Sequence, residues 1–175
     1  MNLYFINNIN MAPFILDDID LKLLQWLQTD ASLSNQALSE RVHTSPPTCL
    51  RRVKRLRSAG LIERQVALLN VDKLAAALGH TLTAIVEITL DRQGAEHHSA
   101  FEQRVAAEHA VQQCYQTSPG PDFVLVITVA DMPAYLAVQQ RLFTSDANVR
   151  NVKAFFSLKR SKFEPKVPLA RDFIA

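Results

Sequence analysis

The stretch Ser45–Gly60, SPPTCLRRVKRLRSAG, decides how the rest of the chain is read. Ser45 offers an N-cap hydroxyl to the orphan amides of a first helical turn. Pro46 stands at the first helical position, where a missing N–H costs nothing. Gly60 is the residue a helix end takes for a left-handed turn. On a helical wheel Cys49, Leu50, Val53 and Leu56 share one arc, and Thr48, Arg51, Arg52 and Arg55 crowd the opposite one. From Arg51 to Arg57 the run holds Arg51, Arg52, Lys54, Arg55 and Arg57, and no acid. A helix apolar on one side and polycationic on the other expects a core behind it and a polyanion in front. A solvated basic face or a protein partner is the blander reading. The neighbouring sequence argues against it.

Upstream, Asp17 or Asp18 opens a helix in which Ile19, Leu23 and Leu27 fall on one face, flanked by Leu24 and Trp26. Its leading acids suit the positive end of the helix dipole. Asp30–Ser34 reads as a turn, with Ser34 capping a second helix through Ala37, Leu38 and Val42, and His43-Thr44 leads into the basic helix. Three short helices, the last two joined tightly, form a helix-turn-helix, whose final helix enters the DNA major groove. On this reading Arg51, Arg52 and Arg55, with Ser45 and Thr48, face the duplex. Arg can reach guanine edges there. Lys54 and Arg57, off the main arc, are phosphate contacts. An Arg of this motif has a second use, bracing the domain through a buried ion pair with an acid of the first helix.

Downstream, Leu61–Leu69 reads as extended, a wing or connecting strand, and Val71–Leu78 as a linker helix stopped by Gly79. From Thr81 to Leu90 the pattern changes to alternation, with Leu82, Ala84, Val86, Ile88 and Leu90 on one face, the mark of a half-buried strand. A helix over about 95–108 follows, with Phe101 and Val105 at helical spacing. Strands at 111–118 and 123–130 flank the Pro/Gly loop Ser118–Asp122. Asp131 caps a helix from Met132 to about Phe143, and Val149–Leu158 supplies a fourth strand. The order βαββαβ is the ferredoxin-like split unit. The class is therefore α+β: an N-terminal winged helix-turn-helix domain joined to a C-terminal ferredoxin-like domain. The expected segments are an arm at 1–15, the helix-turn-helix at 16–64, a linker strand and helix at 65–79, the sheet domain at 80–169 and a tail at 170–175.

Length and composition fit this division. The chain has 175 residues, 48% hydrophobic and 21% charged, with a net charge of only +2, so its basic residues matter through clustering. Cys49 and Cys114 form no framework and no metal spacing, which suits a reducing cytoplasm. Cys49, on the apolar arc, is a small core residue. No apolar run is long enough to cross a membrane. The opening MNLYFINNINMAPFIL is broken by asparagines and lacks an early Lys or Arg, so it makes a poor signal peptide. It is either a loose arm or an extension before a second start at Met11.

Two adjacent features resemble the Lrp/AsnC (leucine-responsive, or feast/famine) transcriptional regulators. Leu16-Asp17-x-x-Asp20-x-x-Leu23-Leu24 is similar to that family's first helix, and Ser45-x6-Arg52-Val53-Lys54-Arg55-Leu56-x3-Gly60-x-Ile62 to its recognition helix and following turn. Gly120-Pro-Asp122-Phe123-Val-Leu125 is similar to its glycine–aspartate loop running into the third strand. The resemblance spans roughly Leu16 to Leu169. It implies a sequence-specific, double-stranded-DNA-binding regulator of amino-acid metabolism. It also implies a homodimer packed sheet to sheet, assembling further to tetramers or octamers, with an amino-acid effector at the subunit interface. The departures are Pro119, Pro121 and Lys153, at positions where the family carries other residues. They bear on the effector and not on DNA binding.

The effector site then falls at Ser118, Gly120, Asp122 and Phe123, with Asp122 the counter-charge for an ammonium group and Gly120 allowing close backbone approach. As a lone aspartate in such a loop, Asp122 is equally a turn former. His97-His98 reads as a solvated surface pair rather than a metal site, since adjacent residues do not share a helical face. His80 and His109 carry no signal, and Glu87 faces water. No cofactor or metal is implied, and no catalytic constellation is present, so an enzyme is not expected. Two readings of other classes stay beside the main one. One is an effector-independent architectural DNA-bridging protein. The other is an amino-acid-sensing module whose N-terminal domain binds protein, against which the basic face argues.

Overall fold

The structure is a computed structural model that describes residues 14–79 and 81–169. The expected arm up to residue 13, His80 and the tail from 170 lie outside the described residues. The chain divides into two compact units: residues up to Ala67 together with those from Glu164, and Leu68–Phe163. This differs from the sequence division in two places. The linker helix belongs with the sheet, and the segment from Glu164 returns to the helical unit. There Gln28 holds the strap-like return by two hydrogen bonds, its Nε2 donating to the Val167 carbonyl at 3.0 Å and its Oε1 accepting from the Val167 amide at 2.9 Å.

The helical unit comprises α1 (Asp18–Thr29), α2 (Asn35–Arg41) and α3 (Pro46–Ser58). Asp17 caps α1 through a reciprocal box, its side chain accepting from the Asp20 amide while Asp20 accepts from the Asp17 amide. Ser34 caps α2 by accepting from Ala37. α3 ends where Gly60 adopts φ +73°, with Leu61 N donating to Leu56 O and Gly60 N to Arg57 O. That paired closure is the Schellman motif. Leu23, Leu38, Val42, Cys49 and Leu56 form the core. Residues 63–70 carry no regular secondary structure, so the expected linker strand does not form within the chain. Its Val66, Leu68 and Leu69 are exposed, and a strand needs a ladder partner to form.

The second unit runs α4 (Val71–Leu78), β1 (Leu82–Leu90), α5 (Ala95–Ala106), β2 (Val111–Gln116), β3 (Phe123–Val129), α6 (Met132–Gln139) and β4 (Val149–Phe156). The strands order β2-β3-β1-β4 with every pairing antiparallel, the ferredoxin-like arrangement. α6 passes into a π-helical turn, Gln140–Thr144, in which Leu142 and Phe143 are both buried. Registers Ala84↔Ile127, Val86↔Leu125 and Ile88↔Phe123 set one sheet face against Phe101 and Val105 of α5 and Tyr135 and Val138 of α6. Truncating Phe101 to Ala would remove about 3–5 kcal/mol of packing.

Candidate functional site

α3 buries Cys49 and Leu56 completely and Val53 in part, as its apolar arc requires. Leu50 departs from that arc: it is 45% exposed. The inward direction centres on Cys49, Val53 and Leu56, which leaves Leu50 on the flank beside Lys54. Ser45 is the N-cap residue but makes no side-chain cap bond. Pro46 and Pro47 bring no amide to the first turn, and the Ser45 hydroxyl donates to Thr48 Oγ1 at 2.9 Å instead. Asn35 Nδ2 donates to the Pro46 carbonyl at 2.8 Å and ties the start of α3 to α2. Arg51, Lys54 and Arg57 are exposed, and Thr48 is half-buried.

Arg52 is used differently from the sequence expectation that it faces the duplex. Its Nη1 donates to Asp17 Oδ2 at 2.7 Å and to Asp20 Oδ1 at 2.9 Å. Arg55 Nη2 donates to the other oxygen of Asp20 and its guanidinium lies 4.8 Å from the Phe14 ring centre. Asp20 is fully buried, so both arginines converge on one desolvated carboxylate. The Asp20 amide first, and the Arg52 guanidinium second, hold the Asp17 carboxyl below its ordinary range. The buried ion pair with the first helix, named above as the second use of an Arg here, is what Arg52 performs. A further brace is Arg41, stacked 4.2 Å over Trp26. The sequence motif of the first helix includes Asp20, but sequence reasoning named no particular acid as the partner, although the place of Asp20 three residues after a capping Asp was a visible signal.

At the other candidate site, the loop between β2 and β3 is clasped by Asp122. Its amide donates to Ile88 O at 2.8 Å, and its carbonyl accepts from Thr117 N at 3.0 Å. Its Oδ2 accepts from Leu90 N at 2.7 Å and from Gln93 Nε2 at 3.4 Å. With 8% of its surface exposed, Asp122 is foremost a loop former, and Oδ1 is the oxygen those bonds leave over. Ser118 and Gly120 lie exposed on the loop, and Gly120 adopts φ +127°, which other residues rarely take. Phe123 was expected to touch an effector, but its side chain is core. The register of β3 turns it toward the helices, its ring 4.7 Å from Phe101 and 5.4 Å from His98. His98 is not the solvated residue expected of a surface pair. It is 20% exposed, its Nδ1 lies 2.7 Å from Gln116 Nε2, and its Nε2 lies 3.7 Å from Asp122 Oδ1.

The sheet face away from α5 and α6 carries Ile85 opposite Val126 and Phe155, and Val124 opposite Tyr115 and Glu87. Ile85, Tyr115 and Phe155 are exposed, an apolar surface that monomeric proteins seldom leave open. Glu87 lies 3.9 Å from Lys153 across the β1–β4 pair. Among the described residues no cluster of three His, Cys, Asp or Glu could hold a metal, and no helix is long and apolar enough to cross a membrane.

A cationic helix locked into a helix-turn-helix, chained to a ferredoxin-like unit with an open sheet face and a structured loop, defines a DNA-binding regulator with a second unit. The comparisons agree. Residues 16–57 match the AsnC-type helix-turn-helix domain and residues 83–167 the Lrp/AsnC ligand binding domain. The chain is 35% identical to the leucine-responsive regulatory protein of Rhizobium meliloti over 84% of this chain and 92% of that one. It is 33% identical to the DNA-binding transcriptional activator DecR of Escherichia coli over 89% of this chain and 99% of that one. Its fold is similar to a Neisseria meningitidis transcriptional regulator solved as an L-Met complex, with TM-score 0.77 and 32% identity, covering 90% of this chain and 99% of that one. The chain belongs to the Lrp/AsnC family of transcriptional regulators.

Proposed function

We propose that this regulator binds double-stranded DNA as a homodimer, and that an amino acid held by the loop around Ser118, Gly120 and Asp122 modulates it. DNA is met by Ser45, Thr48, Arg51, Lys54 and the outer edge of Arg55, while Arg52 holds the helix that carries them. The observation that supports this most is the exposed arc of Arg51 and Lys54 on a helix fixed to α1 through Asp20. A cation on a rigid helix reaches base edges or phosphates with little ordering cost. The apolar outer sheet face supports sheet-to-sheet pairing, with a tetramer or octamer as the larger assembly. Two-fold pairing would present two copies of α3 to a two-fold operator. The amino-acid effector is supported by the L-Met complex of the Neisseria meningitidis relative and by the loop's buried carboxylate and its glycine at positive φ. Control of amino-acid metabolism, in the cytoplasm, follows from that reading.

The test uses duplexes that the purified protein itself selects from a random library, followed by anisotropy with and without each common amino acid. Lys54→Ala should weaken all duplexes alike and lower the salt slope by about one, whereas Arg51→Ala should relax selectivity at one base position. Thermal melting with the same amino acids reads effector binding, because a ligand of the folded state raises apparent stability. DNA selection with no amino-acid response in either assay would leave the effector-independent DNA-bridging protein standing in its place.

A further inference from the structure

We propose that His98 is a positioning residue of the effector loop, and that its protonated ring competes with the effector's ammonium group for Asp122. This rests on the effector reading above and names how that site is regulated. Asp122 Oδ2 is already engaged by Leu90 N and Gln93 Nε2, so an incoming cation must use Oδ1. The group that faces Oδ1 is His98 Nε2, 3.7 Å away, too far for a hydrogen bond yet close enough for a charge. Nε2 is itself buried and without a hydrogen-bond partner. The ring is fixed from its other side by Gln116 at Nδ1 and by the edge contact with Phe123. It therefore meets Asp122 from one direction.

Of the elements around the ring, the loop brings Asp122, β2 brings Gln116 and β3 brings Phe123. Gln93 reaches Asp122 from the turn after β1, and α5 itself adds His97 one residue before and Glu102 four residues after. Asp122 is the charged group directly opposite Nε2. A neutral ring leaves Oδ1 to the ligand. Protonation puts a hydrogen on Nδ1 as well as Nε2, so Gln116 must turn its amide oxygen to Nδ1. The charged ring then supplies the counter-charge that an ammonium group would otherwise supply, and effector binding must release a proton. Histidine as a residue type changes charge between about pH 5 and 8, which sets the two pH values of the test. If the two cations exclude each other, affinity falls by up to about ten-fold for each pH unit below the ring's titration.

The experiment is thermal melting of the full chain with L-methionine, and with a panel of the other common amino acids, at about pH 5.5 and about pH 7.5. The ligand-induced rise in melting temperature should be larger at the higher pH for the native chain and equal at both for His98→Gln, which keeps a polar side chain but no titratable charge. A second measurement needs no variant: NMR titration of the His98 ring should shift to lower pH when the responding amino acid saturates the protein, as reciprocity demands. A variant that keeps the native pH difference, or a ring whose titration ignores the ligand, overturns the role of His98 and leaves the effector reading intact. Absence of any amino-acid response at either pH, in the native chain and the variant alike, takes down the effector reading and this inference together.

Discussion

Oδ1 of Asp20 accepts a hydrogen bond from Arg52 Nη1 at 2.9 Å, and the carboxylate that receives it is fully buried. The bond joins α3 to α1 and fixes the direction in which the outer arc of α3 points. A buried carboxylate that loses a partner keeps its desolvation cost and loses the compensation. Arg52→Ala should therefore destabilise the chain by about 2 kcal/mol, Arg55 still giving Asp20 one partner. Arg51→Ala, on the exposed arc, should leave stability within about 0.5 kcal/mol. Its loss should appear instead as about 1–3 kcal/mol of DNA affinity. Urea unfolding beside anisotropy on a selected duplex separates the two. Equal effects of both substitutions on affinity, with none on stability, would return Arg52 to the DNA face.

Acid should act on the sheet unit through Glu108. The Arg141 guanidinium, donating from Nη2 at 2.8 Å, holds the Glu108 carboxyl below its ordinary range. The folded value lies below the unfolded one, so the stabilising contribution is present above the ordinary value of 4.5 and is lost as pH falls through the folded value. Arg141→Met removes the largest cause of the shift. The melting temperatures of native chain and variant should differ by a constant amount at neutral pH and converge as pH falls through the folded value. A gap that persists undiminished at low pH would assign the effect to packing.

What the sequence disclosed and what it hid divide along sequence separation. Caps, periodicity and turn residues are local, so α1 to α3 and the βαββαβ order were legible from Ser34, Gly60, Asp131 and the alternation over 81–90. The destination of Arg52 was not, because its partner lies 32 residues away and a long side chain at the edge of an apolar arc can turn either way. Leu50 was misplaced for the same reason: a wheel ranks residues by polarity, whereas the contact with α1 and α2 chooses the inward direction. His98 became a half-buried neighbour of Asp122 only once the Gln116↔Phe123 register had set β2 beside β3. Leu61–Leu69 read as extended, a wing or connecting strand, but a strand requires a ladder partner, and 63–70 have no regular secondary structure.

The outer sheet face offers a direct test of association. Ile85 lies on the central strand β1, opposite Val126 and Phe155, and is 43% exposed. Ile85→Lys would place a charge in the middle of a sheet-to-sheet contact without disturbing the helix-facing core, which Ala84 and Val86 occupy. An interface core tolerates an unpaired charge poorly, and the assembly should dissociate to a folded monomer. Light scattering at micromolar concentration should read the monomer mass while circular dichroism stays native. DNA affinity should drop with it, since one copy of α3 reads half a site. A variant that still assembles like the native chain would place the interface on another surface.

Gly120 tests the loop without touching its charges. At φ +127° the backbone sits where an L side chain is strained, yet a methyl added there meets nothing within 4 Å. The cost of Gly120→Ala is therefore one of backbone conformation, about 1–3 kcal/mol, and not of a clash. The loop can relieve it by relaxing, because Ser118 and Gly120 are exposed, but relaxation pulls against the Asp122 amide bond to Ile88 O and the Thr117–Asp122 bond that define its shape. The ligand-free protein should melt several degrees lower and bind DNA as the native chain does. The amino-acid-induced rise in melting temperature should be lost, because the polar groups that meet the ligand no longer hold their places. Retention of the full rise alongside the lowered ligand-free melt would mean that the Gly120 conformation shapes the fold and that the effector is held elsewhere.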